Sequence, residues 1–88
     1  MVEITVIISN AFGLHARPAS QFVQKAASFN SKVKISGKNK VADGKSILAV
    51  MGMGLKQHDA ITIHAEGPDE AECTLALQEL IVGNFGEQ

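Results

Sequence analysis

The sequence predicts an α+β fold, an open-faced β-sandwich with elements in the order β-α-β-β-α-β-α. Three observations carry that expectation. Two segments, residues 2–8 and 61–65, alternate apolar and polar residues with the period of a strand. Two longer stretches, residues 19–26 and 73–81, repeat apolar residues with the period of a helix. Between them a Gly-Lys-Asn turn joins two short strand-like runs. Right-handed crossovers around the first two helices then place the fourth strand between the first and the second. The result is a four-stranded antiparallel sheet of order 1-4-2-3, covered on one face by three helices and open to water on the other.

Each element has its own justification. Val2, Ile4, Val6 and Ile8 share one side of the first strand. A loop from Ser9 to Leu14 follows, with Gly13 giving backbone freedom just ahead of His15. Ala19, Phe22, Val23 and Ala26 fall at i, i+3, i+4 and i+7, one face of a helix whose other face carries Gln21, Gln24 and Lys25. Pro18 implies an irregular first turn, because the residue before a proline avoids helical angles. Val33 and Ile35, set among Lys32, Lys34 and Ser36, make the second strand, and Gly37-Lys38-Asn39 turns the chain into a short third strand around Val41. Gly44-Lys45-Ser46 ends that hairpin. Ile47 to Met53 reads as a short helix capped by Ser46 and stopped by Gly52 and Gly54. Ile61, Ile63 and Ala65 point inward on the fourth strand, with Thr62, His64 and Glu66 outward. Gly67-Pro68-Asp69-Glu70 starts the last helix, with proline early and acids in the first turn. Cys73, Ala76, Leu77, Leu80 and Ile81 form its buried stripe and Gly83 its cap.

Composition narrows the function. The apolar share of 45% in 88 residues suits one packed domain, residues 1–88, without linker or repeat. With 8 basic against 9 acidic residues and 5% aromatics, there is no cationic field for a polyphosphate backbone and no stacking platform for bases. Nucleic acid is therefore not an expected direct partner. The opening Met1-Val2-Glu3-Ile4 puts an acid where a signal peptide carries base, and no apolar run is long enough to span a bilayer. A lone Cys73 has no intramolecular disulfide partner, which fits a reducing cytoplasm. The expected protein is cytoplasmic, monomeric and not inserted in a membrane. His58 and His64 lack the spacing of a helical metal site, and Cys73 lies in an apolar stripe, so neither metal nor cofactor is expected.

Two segments carry chemistry. Gly13-Leu14-His15-Ala16-Arg17-Pro18-Ala19 sets a histidine at the joint between a loop and a helix N-terminus. A lone histidine there is ordinarily a surface cap. Here, however, the unpaired N–H groups of the first turn favour an anion, and Arg17 adds a planar fork of donors suited to phosphate oxygens. The same positive surroundings disfavour imidazolium and leave a neutral, nucleophilic ring, which points to a covalent phosphohistidine. In the second segment, Ser46 opens a helix in which Ile47, Leu48, Val50, Met51 and Met53 point around most of the circumference. One short helix buries only one stripe, so part of this surface stays exposed and suits partner docking. A small hydrolase gripping phosphate through Arg17 is the competing class. It would need a second acid or base near the motif, and none can be made out.

The first motif resembles the active-site signature of HPr, the histidine-containing phosphocarrier family of the bacterial phosphoenolpyruvate-dependent sugar phosphotransferase system. The Lys45-Ser46-Ile47 segment with its apolar helix resembles that family's regulatory serine region, and length and element order agree along nearly the whole chain. The resemblance implies that His15 takes a phosphoryl group on Nδ1 from enzyme I and passes it to sugar-specific IIA proteins. Arg17 would steady that group. Ser46 would be the target of a regulatory kinase/phosphorylase, whose product joins a catabolite-control repressor. Ile47, Leu48 and Met51 would form the apolar docking surface for these partners. The protein would then be a phosphoryl carrier within a relay and not itself an enzyme. An HPr-like carrier of the nitrogen-related branch of the system shares the histidine motif. Phe12, where small or polar residues are common, and Gly52-Met53, where Ser-Leu is frequent, depart from the family pattern.

Overall fold

Ile4 of the first strand faces Ile63, Ile63 faces Ile35, and Ile35 faces Ala42, so one row of apolar residues runs across four antiparallel strands. The strands are β1 (Val2–Ile7), β2 (Lys32–Gly37), β3 (Lys40–Asp43) and β4 (Ala60–Glu66), in the order β1-β4-β2-β3. The helices are α1 (Ala16–Ala27), α2 (Ile47–Gly52) and α3 (Glu70–Val82). This computed structural model describes residues 1–9, 13–14, 16–83 and 85. The expected order of elements and strands is the observed one.

The inward row packs beneath the helices. Phe22 and Ala26 of α1, Val50 of α2 and Leu77 and Ile81 of α3 are fully buried against Ile35, Ile61 and Ile63. At about 25 cal/mol per Å², burial of this apolar surface is the main term opposing chain entropy. The adjacent outward rows are polar apart from Val41 at the edge: Thr5, Thr62, Ser36 and Val41 in one, Glu3, His64, Lys34 and Asp43 in the other. This open face is laced together as well as solvated. Thr5 and Thr62 share a hydroxyl bond of 3.0 Å, and His64 sits with Nδ1 2.5 Å from Glu3 and Nε2 2.9 Å from Ser36 Oγ. His64 is therefore half-buried with a polar atom at each ring nitrogen, where the sequence suggested a merely solvated side chain.

Several local expectations are corrected. Ala16 and Arg17 are already helical, despite Pro18. Proline's missing N–H falls in the first turn, where no helical carbonyl awaits it, and its ring is buried in the core. In the β2–β3 hairpin the left-handed residues are Lys38 (φ 51°) and Asn39 (φ 62°), the pair a two-residue I′ turn requires, while Gly37 stays extended and pairs with Lys40. Val41 points outward and Ala42 inward. Pro68 lies before α3, whose N-cap residue is Asp69. The buried stripe of α3 is Cys73, Thr74, Leu77 and Ile81, with Ala76 and Leu80 only half-buried. Thr74 enters the core because its hydroxyl bonds back to the carbonyls of Glu70 and Ala71, both at 3.1 Å.

Candidate functional site

The segment leading into α1 is laid on the loop that follows α2. Gly13 adopts φ +68°, and a Cβ there would stand 2.2 Å from Leu55 O and 2.7 Å from Lys56 Cα, so only glycine fits. The Leu14 N–H donates to Leu55 O at 3.1 Å, and its side chain is buried. These two residues fix where α1 begins. Ala16 and Arg17 then emerge exposed, with no acidic residue in the first turn. Among the described residues Arg17 has no hydrogen bond or ion pair, so its guanidinium is available to an anion approaching the helix start. The helix dipole and the N–H groups of Ala16 and Arg17 favour negative charge at the same place. His15 and Phe12 lie outside the described residues.

α2 packs against α1 and carries the second element of the site. The Asp43 carbonyl and carboxylate accept the N–H groups of Ser46 (3.1 Å) and Lys45 (2.9 Å), and Lys45 Nζ donates to Phe29 O at 2.9 Å. Ser46 is thereby set as the N-cap, its Oγ accepting the Ala49 N–H at 3.3 Å. Gly54, at φ +65°, follows the end of the helix, its N–H bonded to Met51 O. Val50 and Met53 point into the core. Ile47, Leu48 and Met51 do not: they are 39%, 82% and 41% exposed. The expected split of this helix into a buried stripe and an uncovered apolar patch is thus the observed one. Leu55, which holds Leu14, lies three residues past Gly52, so one short loop links the end of α2 to the start of α1.

The remaining reactive groups stand elsewhere. His58 is an exposed turn residue at φ 76°. Burial pushes the Cys73 thiol up, with the Asp69 charge adding to the effect, which keeps it an unreactive core residue. Among the described residues no group of three or more His, Cys, Asp or Glu could hold a metal ion, and no helix is long and apolar enough to cross a membrane. Sequence reasoning missed one component. Lys38 Nζ reaches Gly54 O at 2.9 Å and Asp59 Oδ2 at 3.2 Å, bracing the loop under Leu14. A lysine in a hairpin turn carries no local signal of a partner twenty-one residues away.

An anion-favouring helix start thus stands one loop away from an uncovered apolar helix on an open-faced sandwich. The family model described as "PTS HPr component phosphorylation site" matches residues 2–82, and the chain belongs to the HPr family of phosphocarrier proteins of the phosphotransferase system. The phosphocarrier protein HPr of Lysinibacillus sphaericus is 46% identical over 79 residues, 90% of this chain and 88% of that protein. The crystal structure of HPr-C-His from Thermoanaerobacter tengcongensis matches with a TM-score of 0.97 at 44% identity, covering 100% of this chain and 99% of that one. A structure from the same organism described as an HPr dimer has a TM-score of 0.79 at 45% identity, over 99% of this chain and 100% of that one.

Proposed function

We propose that this chain is a single cytoplasmic carrier domain, residues 1–88, that accepts a phosphoryl group from enzyme I on His15 and delivers it to sugar-specific IIA proteins. A P–N bond forms at Nδ1 as the donor's bond to phosphorus breaks, and the same bond is broken when the acceptor takes the group. Arg17 steadies the phosphoryl oxygens. The observation that carries the reading is the exposed Arg17 in the first turn of α1, two residues after His15 in sequence and without a hydrogen bond or ion pair among the described residues. Ile47, Leu48 and Met51 form the surface on which enzyme I and the IIA proteins dock, and Ser46 at its edge is the site of regulatory phosphorylation by a kinase/phosphorylase. The serine-phosphorylated form is the one a catabolite-control repressor binds. The carrier works as a monomer, with one histidine per chain presented to each partner in turn.

The test is incubation with phosphoenolpyruvate and enzyme I, followed by mass spectrometry before and after acid. One added phosphoryl group of about 80 Da, removed by acid as a phosphoramidate is, supports the reading. The same gain in His15→Ala refutes it. Sedimentation of the phosphorylated chain at working concentration reads the oligomeric state, and a dimer there would overturn the monomeric part.

A further inference from the structure

The loop between α2 and β4 is the bed on which the start of α1 rests, and one ammonium ties both its ends. Lys38, held in the left-handed region of the β2–β3 turn, donates to Gly54 O at one end and pairs with Asp59 Oδ2 at the other, at 2.9 and 3.2 Å. The same Asp59 oxygen accepts the Lys56 N–H at 2.7 Å. Between those ends the loop supports the segment around the motif. Leu55 O takes the Leu14 N–H, Gly13 lies directly on Leu55 and Lys56, and Gln57 Nε2 donates to Ser9 O at 3.1 Å. Of residues 54–59 only Leu55 is buried. Beyond the buried Leu55, polar bonds therefore set the shape of this loop, and among the described residues Lys38 joins its two ends. The pair itself is partly shielded, with side chains 38% and 26% exposed.

We propose that Lys38 and Asp59 are positioning residues for phosphoryl transfer. They act through Leu55 and Leu14 on the place of the α1 N-terminus and so on the geometry of the group carried at His15. The proposal rests on the carrier reading above. Transfer between two docked proteins tolerates little misplacement of the attacking atom, so a relaxed bed slows the chemical step and leaves docking alone. Lys38→Met keeps the length of the side chain and removes the charge, Lys38→Arg restores it, and Asp59→Asn removes the other partner. Two quantities decide: kcat and KM of enzyme I for each variant with phosphoenolpyruvate as donor, and hydrogen exchange of the Leu14 amide.

Lys38→Met should lower kcat about tenfold at unchanged KM and speed Leu14 exchange. Asp59→Asn should do the same, and Lys38→Arg should recover both. Wild-type kcat in Lys38→Met, a rise in KM alone, unmoved Leu14 exchange, or no recovery with arginine overturns the strut while leaving the carrier reading in place. A wild-type chain that takes no acid-labile phosphate overturns the carrier reading itself, and the strut's role in transfer with it.

Discussion

Arg17 is a side chain whose exposure separates its part in folding from the part proposed for it in transfer. It is exposed, with no bond to another described residue, so little folding energy depends on it. Its donors are held at a helix start where negative charge is favoured. Arg17→Ala should shift unfolding by less than about 0.5 kcal/mol. A charge-assisted contact to a phosphoryl oxygen is worth roughly 1.5–3 kcal/mol, so transfer from enzyme I should slow about tenfold or more. Urea melts and stopped-flow transfer measured on one preparation test both halves. A variant that melts early, or that transfers at the wild-type rate, removes the phosphoryl-steadying role.

At the scale of an element, α2 shows how one short helix can serve the fold and the docking proposed for it at once. Val50 and Met53 anchor it, Ser46 caps it, and Leu48 stands almost wholly in water. A negative charge at the cap is locally favourable, since it meets the positive end of the peptide dipoles. Its functional effect arises outside the helix, where a partner covering Ile47, Leu48 and Met51 must desolvate that charge. Ser46→Asp should therefore fold at least as well as the wild type and accept phosphate more slowly through weaker binding. Added salt should narrow the difference if exposed repulsion dominates and leave it if desolvation does. Equal apparent affinities of enzyme I for the two proteins at low salt would reduce Ser46 to a helix cap.

For the whole molecule, the expected acid limb of stability comes from hydrogen-bonded carboxylates, Asp69 through long-range bonds and Asp59 and Glu70 chiefly through local ones. Asp69 accepts the Ser31 hydroxyl and the N–H groups of Asn30 and Ser31, joining the α1–β2 loop to the start of α3. Those bonds, the Ser31 hydroxyl first, hold its carboxyl below the ordinary value of 3.8. Asp59 is lowered chiefly by the Lys56 N–H, and Glu70 by the Gly67 N–H and then by the N-terminal ammonium. A carboxylate depressed in the folded state contributes stability that is present above its unfolded value and is lost as pH falls through the folded one. Urea midpoints should thus stay level from neutral pH down to about pH 5 and fall below it. Asp69→Asn should lower the neutral midpoint and flatten that fall. An unchanged slope in the variant would show that Asp69 is not among the groups responsible.

The strand order followed from the right-handed crossover rule applied to the succession of elements, whereas local pattern alone determined the element order and marked the two segments proposed to carry chemistry. The latter two rest on signals complete within a few residues: the alternation of Ile61, Ile63 and Ala65, the spacing of Ala19, Phe22 and Ala26, and an apolar helix too short to bury all its apolar residues. Even the uncovered face of α2 was legible, because counting side chains against one stripe needs no coordinates. Tertiary structure decided what depends on partners distant in the chain. Nothing near Thr74 marks it as core, nothing near Lys38 or Asn39 assigns the left-handed turn to them with Gly37 adjacent, and Asp69 looks like an ordinary cap until Ser31 arrives beside it. Lys38 meets Asp59, and Leu14 meets Leu55, only once the sheet has brought the hairpin and the α2–β4 loop together. Periodicity records which side of an element faces the core. A hydrogen bond between loops is recorded only in where the packed core leaves those loops, and that follows from the whole fold.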